Sequence, residues 1–491
     1  MQDIIIFGTG KVGRDIILLL KNEYNILFLA DNEKSKWGNS LEGYIIKSPD
    51  EIRCCDCGVV VASTKYGTEM TRQLQAVGIN RDRIYLCGKY RTGSIYGYEI
   101  YPLDARNIIG TGKRLNEYDL LNTAECGNRD IKVMVFCTFY STYTKQLIEN
   151  MSGRYDDIEF SLITNDRKYK EKIVSGNLKH IYCFQTMTDL KTILEELPEY
   201  DAMQLLWIEN KWAYFHELIR KKTRRLNLNV GGSDFYRSTK VEREYKRELI
   251  KCADQVTAET IGTIQDFESY YSGDVHGKIG LLPFGIEVLD LIKRSRDKDK
   301  NNIRKKYHIP FNKVVVTCGH NASEAHQHMD MIDALSRLSE HVKREIVCVF
   351  PMAYPSGRDK YINEVDTRLD EIGLQHVILT DFMDFQSMAE YALISDIMIH
   401  VQTTDQLSST MLEEMYAGSI VIAGSWLPYQ SLHEMGIYFL DVDTIPDVTA
   451  VLEDVVMNIE SHKEKCAGNS EIVWQHSSWD VLAPKWHALW D

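Results

Sequence analysis

Asp405 and Glu413 are separated by seven residues, in Asp405-Gln-Leu-Ser-Ser-Thr-Met-Leu-Glu413-Glu-Met-Tyr-Ala-Gly418. The first acid sits in a loop and the second on the helix that follows it. A loop carboxylate can accept hydrogen bonds from the hydroxyls of a sugar. One on the helix behind it can take both hydroxyls of a ribose, and Ser408 and Ser409, where the helix starts, fall beside the same ligand. Gly418 ends the helix where left-handed backbone is wanted, and residues 419–423 read as a buried parallel strand. The plain alternative is an amphipathic helix with exposed acids. A second chemical constellation opens the chain. Gly8-Thr-Gly10-Lys11-Val12-Gly13 joins a buried strand to a helix, and Asp31 ends the next strand. Such a turn lets a helix N-terminus meet a phosphate, and an acid about 20 residues on can meet a ribose. The same glycines would also serve tight strand–helix packing.

The elements around these residues follow from composition and periodicity. At 491 residues the chain should hold roughly three domains at about 150 residues each. An apolar share of 44 % with 26 % charged residues is ordinary for globular protein. A net charge of −14 argues against nucleic acid as a partner, since duplex affinity rests on neutralised phosphates. No apolar run approaches the ~18 residues of a membrane span, and the N-terminus enters a strand with no basic n-region or cleavage site. Eleven cysteines, an odd count, lie mostly in apolar strand contexts. That pattern fits reduced thiols in a cytoplasm. Cys54, Cys55 and Cys57 have no second Cys or His pair nearby to complete a zinc site, and no metal is expected.

Three blocks emerge. Residues 1–88 carry the glycine turn, with further strands at Val59–Ala62 and Arg83–Leu86, and form a small Rossmann-like unit for a nucleotide or nucleotide sugar. No Tyr-x-x-x-Lys or Cys/His pair accompanies it, so hydride transfer is a distant reading. Residues 89–130 read as a connecting segment, with a short helix near Arg114–Asn122. Residues 131–292 alternate strands (131–137, 158–163, 180–183, 202–207) with helical segments, the pattern of a parallel sheet covered on both faces. The charged run 293–302 reads as a linker. Residues 303–475 repeat the alternation: strand 313–318 empties into Gly319-His-Asn321-Ala-Ser323, a small polar turn before a helix, suited to a diphosphate. Arg358 and Lys360 follow the next strand and could neutralise a leaving pyrophosphate. Residues 476–491 form an aromatic terminal helix expected to pack back on residues 131–292. The dense basic patch Arg220–Arg225 reads as a solvated helix end, or as peripheral contact with anionic lipid on the inner face of a membrane.

The segment from Asp405 to Gly418 resembles the donor-site signature of GT-B glycosyltransferases, "E-G-x-x-x-x-x-L-E-A-M-A-x-G-x-P-V-I", with Asp405 at the first Glu and Glu413 at the second. Ala253-Asp-Gln-Val-Thr257 and Pro283-Phe-Gly-Ile-Glu287 match landmarks of the same family. Gly231-Gly-Ser-Asp234 stands where "H-G-S-D" commonly occurs, with Gly231 at the His position, and leaves Asp234 as the candidate of that turn. Its plain role would be to cap the next helix. The likeness covers about residues 131–491 and implies two doubly wound Rossmann-like α/β domains preceded by the small third one. It implies chemistry in the cleft between the two, with donor diphosphate on the Gly319 turn and the nucleobase beside the turn of Asp384. Sugar transfer would then be metal-independent and retaining, with no cofactor beyond the nucleotide-diphosphate sugar, whose base (UDP, GDP or dTDP) stays open. Were transfer inverting, Asp234 or Glu209 would be the base. Residues 1–88 are similar to small units of bacterial polysaccharide-biosynthesis proteins, through Asp31-Asn32, Trp37-Gly38 and residues 41–49. That likeness implies surface polysaccharide or glycoprotein glycan synthesis, with a glycan, lipid-linked or protein acceptor. A GT-B-fold nucleotide-sugar epimerase and a non-catalytic nucleotide-sugar-binding scaffold remain open alternatives, and so does oligomerisation.

Overall fold

The computed structural model describes residues 2–92, 95–108, 131–139, 141–166, 173 and 175–491. Its contacts divide the chain into two compact units. One is Met1–Val256 with Tyr271–Lys278 and Trp490–Asp491, and the other is Thr257–Tyr270 with Ile279–Leu489.

The first unit holds two sheets. One runs in the order Ser40–Leu41, Tyr44–Lys47, Asn25–Ala30, Asp3–Phe7, Gly58–Val61, Ile84–Thr92, Ile95–Pro102. Its central strands, Ile4-Ile-Ile-Phe7 and Val59-Val-Val61, are buried along their length, as a parallel sheet covered on both faces requires. Within residues 89–130, read as connecting structure, the described part begins with a strand pair. Strand Ile84–Thr92 continues past residue 89 and pairs antiparallel with Ile95–Pro102. Tyr98 and Tyr101 supply the aromatic content strands favour. An edge hairpin needs no continuous apolar run, so its periodicity is weak. The helix expected near Arg114–Asn122 lies outside the described residues.

The second sheet runs Leu178–Cys183, Ile158–Thr164, Ile131–Phe136, Tyr200–Leu206, Thr223–Asn229, then Gln255–Ala258, where the boundary between the units falls, and Ile279–Leu281. The pairs from Leu178–Cys183 through Thr223–Asn229 are parallel. The basic patch is largely spent on its own surroundings. Arg220 pairs with Asp254 at 3.5 Å, Lys222 donates to the carbonyls of Glu195 and Leu197, and Arg224 pairs with Glu199 and Asp201.

The second unit is built on a six-stranded, all-parallel sheet in the order His376–Leu379, Ile346–Pro351, Val314–Cys318, Ile397–His400, Ile420–Gly424, Leu440–Val442. Its faces bury Val316, Ile399 and Ile422 against one helical layer and Met398, Val421 and Ala423 against the other, the period-two alternation of a strand. The charged run 293–302 lies in the end of helix Glu287–Ser295 and the start of helix Lys300–Lys306. In the terminal helix Trp479–Trp490, Trp479 lies against Gly285, where a Cβ would come within 2.3 Å of the indole, and Trp486 donates to the Pro283 carbonyl at 3.1 Å. Trp490 belongs to the first unit, edge-on to Phe160 at 5.4 Å and donating to Gln204. Among the described residues no helix is long and apolar enough to cross a membrane.

Candidate functional site

In an open parallel sheet the ligand crevice forms where the strand order reverses, beyond the carboxyl ends of the two strands concerned. In the second unit that point lies between Val314–Cys318 and Ile397–His400, with Cys318 level with Ile399. Two loops far apart in sequence therefore leave the sheet side by side: Gly319–Ser323 and Val401–Asp405.

The Gly319 turn is as tight as its sequence suggests. Gly319 has φ +67°, and a Cβ there would meet the His328 Nε2 at 3.0 Å and the His326 ring at 3.2 Å. Asn321 and Ser323 shape the turn, since Asn321 Oδ1 accepts from the Ser323 N–H at 2.8 Å and Ser323 Oγ from the Ala325 N–H at 3.3 Å. Helix His328–Ser336 follows, with Gln327 in left-handed backbone and no side chain capping its first turn. Arg358 reaches this region and pairs with Glu324 at 2.8 Å. Lys360 is 94 % exposed and pairs with Glu364 on its own helix, so it is not brought to the turn. Asp384 caps helix Phe385–Ala392 by accepting from the Ser387 N–H at 2.7 Å.

Asp405 is held by the loop. Its Oδ2 accepts from Tyr429 Oη at 2.6 Å and Gln402 Nε2 at 3.3 Å and lies 3.3 Å from His400 Nε2, while Oδ1 accepts from the Gln406 N–H at 2.9 Å. Burial raises its pKa, but the bonds from His400 and Tyr429 outweigh that and leave it below the ordinary carboxylate value. Asp405 is an ionised, fixed anion.

Glu413 is the opposite case. Ser408 caps its helix, accepting from the Met411 N–H at 3.2 Å. The helix begins at Ser409 and ends at Gly418 with φ +101°. Glu413 is 4 % exposed, and its carboxyl has no hydrogen-bond partner among the described residues. Burial, then the charge of Glu414, pushes its pKa up to about 8. Glu414 is equally buried and also raised to about 8, but its Oε2 takes the Ser419 hydroxyl at 2.6 Å. Of two adjacent acids, one is built into the fold and the other is left for something else to bind.

Four imidazoles line the same crevice, to which the motif reading assigned no role. His320 lies 4.3 Å from His326 and 5.8 Å from His400 between ring centroids, and His326 lies 5.5 Å from His328. His320 Nδ1, both nitrogens of His326, His328 Nε2 and His400 Nδ1 are buried without partners. Burial lowers His320 to about 3 and His328 to about 4, and pushes His326 down as well. His320, His326 and His328 are therefore neutral donors and acceptors at working pH. No group of three or more His, Cys, Asp or Glu among the described residues is arranged to hold a metal ion. The signal in the sequence was four of 14 histidines falling at the ends of two strands or just after them.

The matching reversal in the second sheet lies between Ile131–Phe136 and Tyr200–Leu206. There Trp207 takes φ +64°, rare for a bulky residue, and its ring lies 4.8 Å from Phe139. A Cβ on Gly231 would come within 2.0 Å of the Trp207 indole. The space a histidine at position 231 would fill is therefore occupied by tryptophan. Asp234 lies in the short helix Ser233–Tyr236, its Oδ2 accepting from the Ile208 N–H at 2.6 Å, and burial raises its pKa. Glu209 pairs with Lys211 at 3.1 Å and accepts from Thr138.

In the N-terminal glycine turn, a Cβ on Gly13 would lie 2.1 Å from the Gly8 carbonyl oxygen, and Gly8 itself has φ +113°. Nothing lies within 4 Å of a Cβ on Gly10, and Lys11 and Val12 begin a helix with no side-chain cap. Asp31 accepts from the Thr9 N–H at 3.1 Å, the Thr9 hydroxyl, the Glu33 N–H at 2.8 Å and Lys36 at 3.3 Å. Its carboxylate is occupied by the turn, not offered to a ribose.

Two tandem Rossmann-like domains, here behind a third, are the GT-B fold. Among solved structures, the HepE protein of Anabaena, crystallised with UDP, superposes with a TM-score of 0.58 at 12 % identity, over 73 % of this chain and 99 % of that one. A glycosyltransferase from Rickettsia africae does so at 0.59 and 13 %, over 74 % and 98 %. The sucrose-phosphate synthase of Thermosynechococcus elongatus does so at 0.58 and 11 %, over 74 % and 98 %. The family model for the C2185-like N-terminal domain matches residues 1–85. No curated protein matches the sequence.

Proposed function

We propose that the chain is a glycosyltransferase that moves a sugar from a nucleoside-diphosphate donor to a glycan, lipid-linked or protein acceptor. The observation that carries this reading is Glu413, a buried carboxyl without a partner at the crevice of a parallel sheet. A buried polar group left unpaired costs about 1–3 kcal/mol, a cost that two ribose hydroxyls would remove. Asp405 would fix sugar hydroxyls, and the Gly319 turn would receive the diphosphate. Arg358, paired with Glu324, would exchange it for the leaving group, an electrostatic role that needs no metal. The occupied carboxylate of Asp405 suits a binding role better than proton transfer, which favours retention. UDP-glucose is the first donor to test, because HepE was solved with it. Residues 131–292 would be the acceptor domain and 303–475 the donor domain, in the synthesis of a bacterial surface glycan.

The test is a thermal-shift screen of the full chain against UDP-, GDP- and dTDP-sugars, repeated with Glu413→Ala, followed by product analysis. A shift with one nucleotide class that the variant loses, together with release of nucleoside diphosphate, supports transfer. An altered sugar on an intact diphosphate would replace it with epimerisation. Release of nucleoside diphosphate that Glu413→Ala leaves undiminished removes the basis of the proposal.

A further inference from the structure

A second cavity, of about 650 Å³, lies wholly within the first unit and takes in neither Asp31 nor the Gly8–Gly13 turn. Its walls are the loop and helix after strand Gly58–Val61, the hairpin Ile84–Thr92/Ile95–Pro102, and loops of the second sheet. That volume is of the size that holds a cofactor-sized molecule.

Its chemistry is divided. At one side stand Arg72 and Arg81, both exposed, neither of which makes a hydrogen bond or ion pair among the described residues. Lys65 and Lys211 add positive charge. Helix Gly67–Ala76 begins here, and no side chain caps its first amides, the arrangement that receives anions. Glu69, in that first turn, is directed to the Thr239 hydroxyl at 2.8 Å. The acids of the wall are occupied. Glu99 accepts from the Met187 and Thr188 N–H groups, Glu242 from the Thr239 N–H, and Glu244 pairs with Arg247. At the other side Tyr101 and Tyr214 meet edge to face at 5.5 Å, with Tyr245 beside them. Tyr214 donates to the Pro102 carbonyl, but Tyr101 and Tyr245, both largely buried, have no hydrogen-bond partner among the described residues. Asn210 Oδ1 is also buried on this wall without a partner.

We propose that this cavity is a second nucleotide site, with phosphates on Arg72, Arg81 and the amides of helix Gly67–Ala76, and the nucleoside hydrogen-bonded by Tyr101, Tyr245 and Asn210. Unpaired guanidiniums call for an anion. Unpaired phenols behind them call for a polar, planar body, which an inorganic anion lacks. Burial pushes both phenols well above their ordinary value, so they stay neutral donors.

The experiment is isothermal titration of the full chain carrying Glu413→Ala, which weakens the first site about thirtyfold and so separates it from this one, with UDP, GDP and inorganic pyrophosphate as probes. One saturable nucleotide site per chain is expected. Arg72→Ser with Arg81→Ser should weaken it by about tenfold or more, as loss of charge-assisted bonds does. Both arginines are exposed, so the double variant should keep its circular dichroism and melting point. Tyr245→Phe should weaken the nucleotide but leave pyrophosphate unchanged. The proposal is overturned if neither nucleotide binds at millimolar concentration, if the arginine variant binds as tightly as its parent, or if pyrophosphate binds as tightly as the nucleotides.

Discussion

Two glycine turns, at Gly8–Gly13 and at Gly319, each join a parallel strand to a helix, and a candidate ribose acid goes with each: Asp31 close by in sequence, Glu413 far from it. They look alike as motifs and differ in what the acid touches. Asp31 has four internal donors, from Thr9, Glu33 and Lys36. Glu413 has none. A turn whose acid is saturated reads as a structural joint, whereas the proposed function gives the unsaturated acid a ligand. The lesson is that glycine spacing reports the shape of a turn, and only the hydrogen bonds of the acid report its use.

The largest effect should come from the joint. Gly13→Ala places a methyl 2.1 Å from the Gly8 carbonyl oxygen and should cost about 3 kcal/mol in urea denaturation. Gly10→Ala meets nothing and should cost a few tenths. Equal costs would mean that the turn is not close-packed. Next is Glu413→Ala, which should weaken the donor nucleotide by about 2 kcal/mol, roughly thirtyfold in Kd. Unchanged affinity by calorimetry would erase the contrast between the two turns.

A smaller effect concerns pH. Glu413 and Glu414 ionise in the unfolded chain from about 4.5 but in the native one only near 8. Between those values the native state holds the extra protons, and stability falls as pH rises. His320 and His328 act in the opposite sense below the 6.5 of a free imidazole, because there the unfolded chain holds the extra protons. The melting point of the unliganded protein should therefore drop between pH 6.5 and 8, and Glu413→Gln with Glu414→Gln should flatten that drop. A flat profile in the parent would contradict the burial of the pair. Smallest of all, Asp31→Asn should cost about 1 kcal/mol of stability and leave donor affinity unchanged. A loss of nucleotide binding would return Asp31 to the ligand.

Much of this was legible in the residues. Buried runs such as Ile4–Phe7 and Val314–Cys318 announce the three sheets, because strands covered on both faces carry little else. The Asp405–Glu413 spacing and Gly418 locate the helix and its end. What could not be read is what depends on neighbours remote in sequence. Strand pairing sets His320 beside His400 and so assembles the imidazole cluster. Thr9 disarms Asp31 from across a strand pair. The hairpin ending at Pro102 hides because one of its faces has no need to be apolar.

Gly231 and Trp207 bind each other's choices. Any side chain at 231 collides with the indole, and an indole at 207 requires a bare backbone opposite. A histidine at 231 therefore requires a smaller residue at 207 first, since the reverse order passes through a clash. The two positions are sterically coupled, and a substitution judged at either alone will be misjudged.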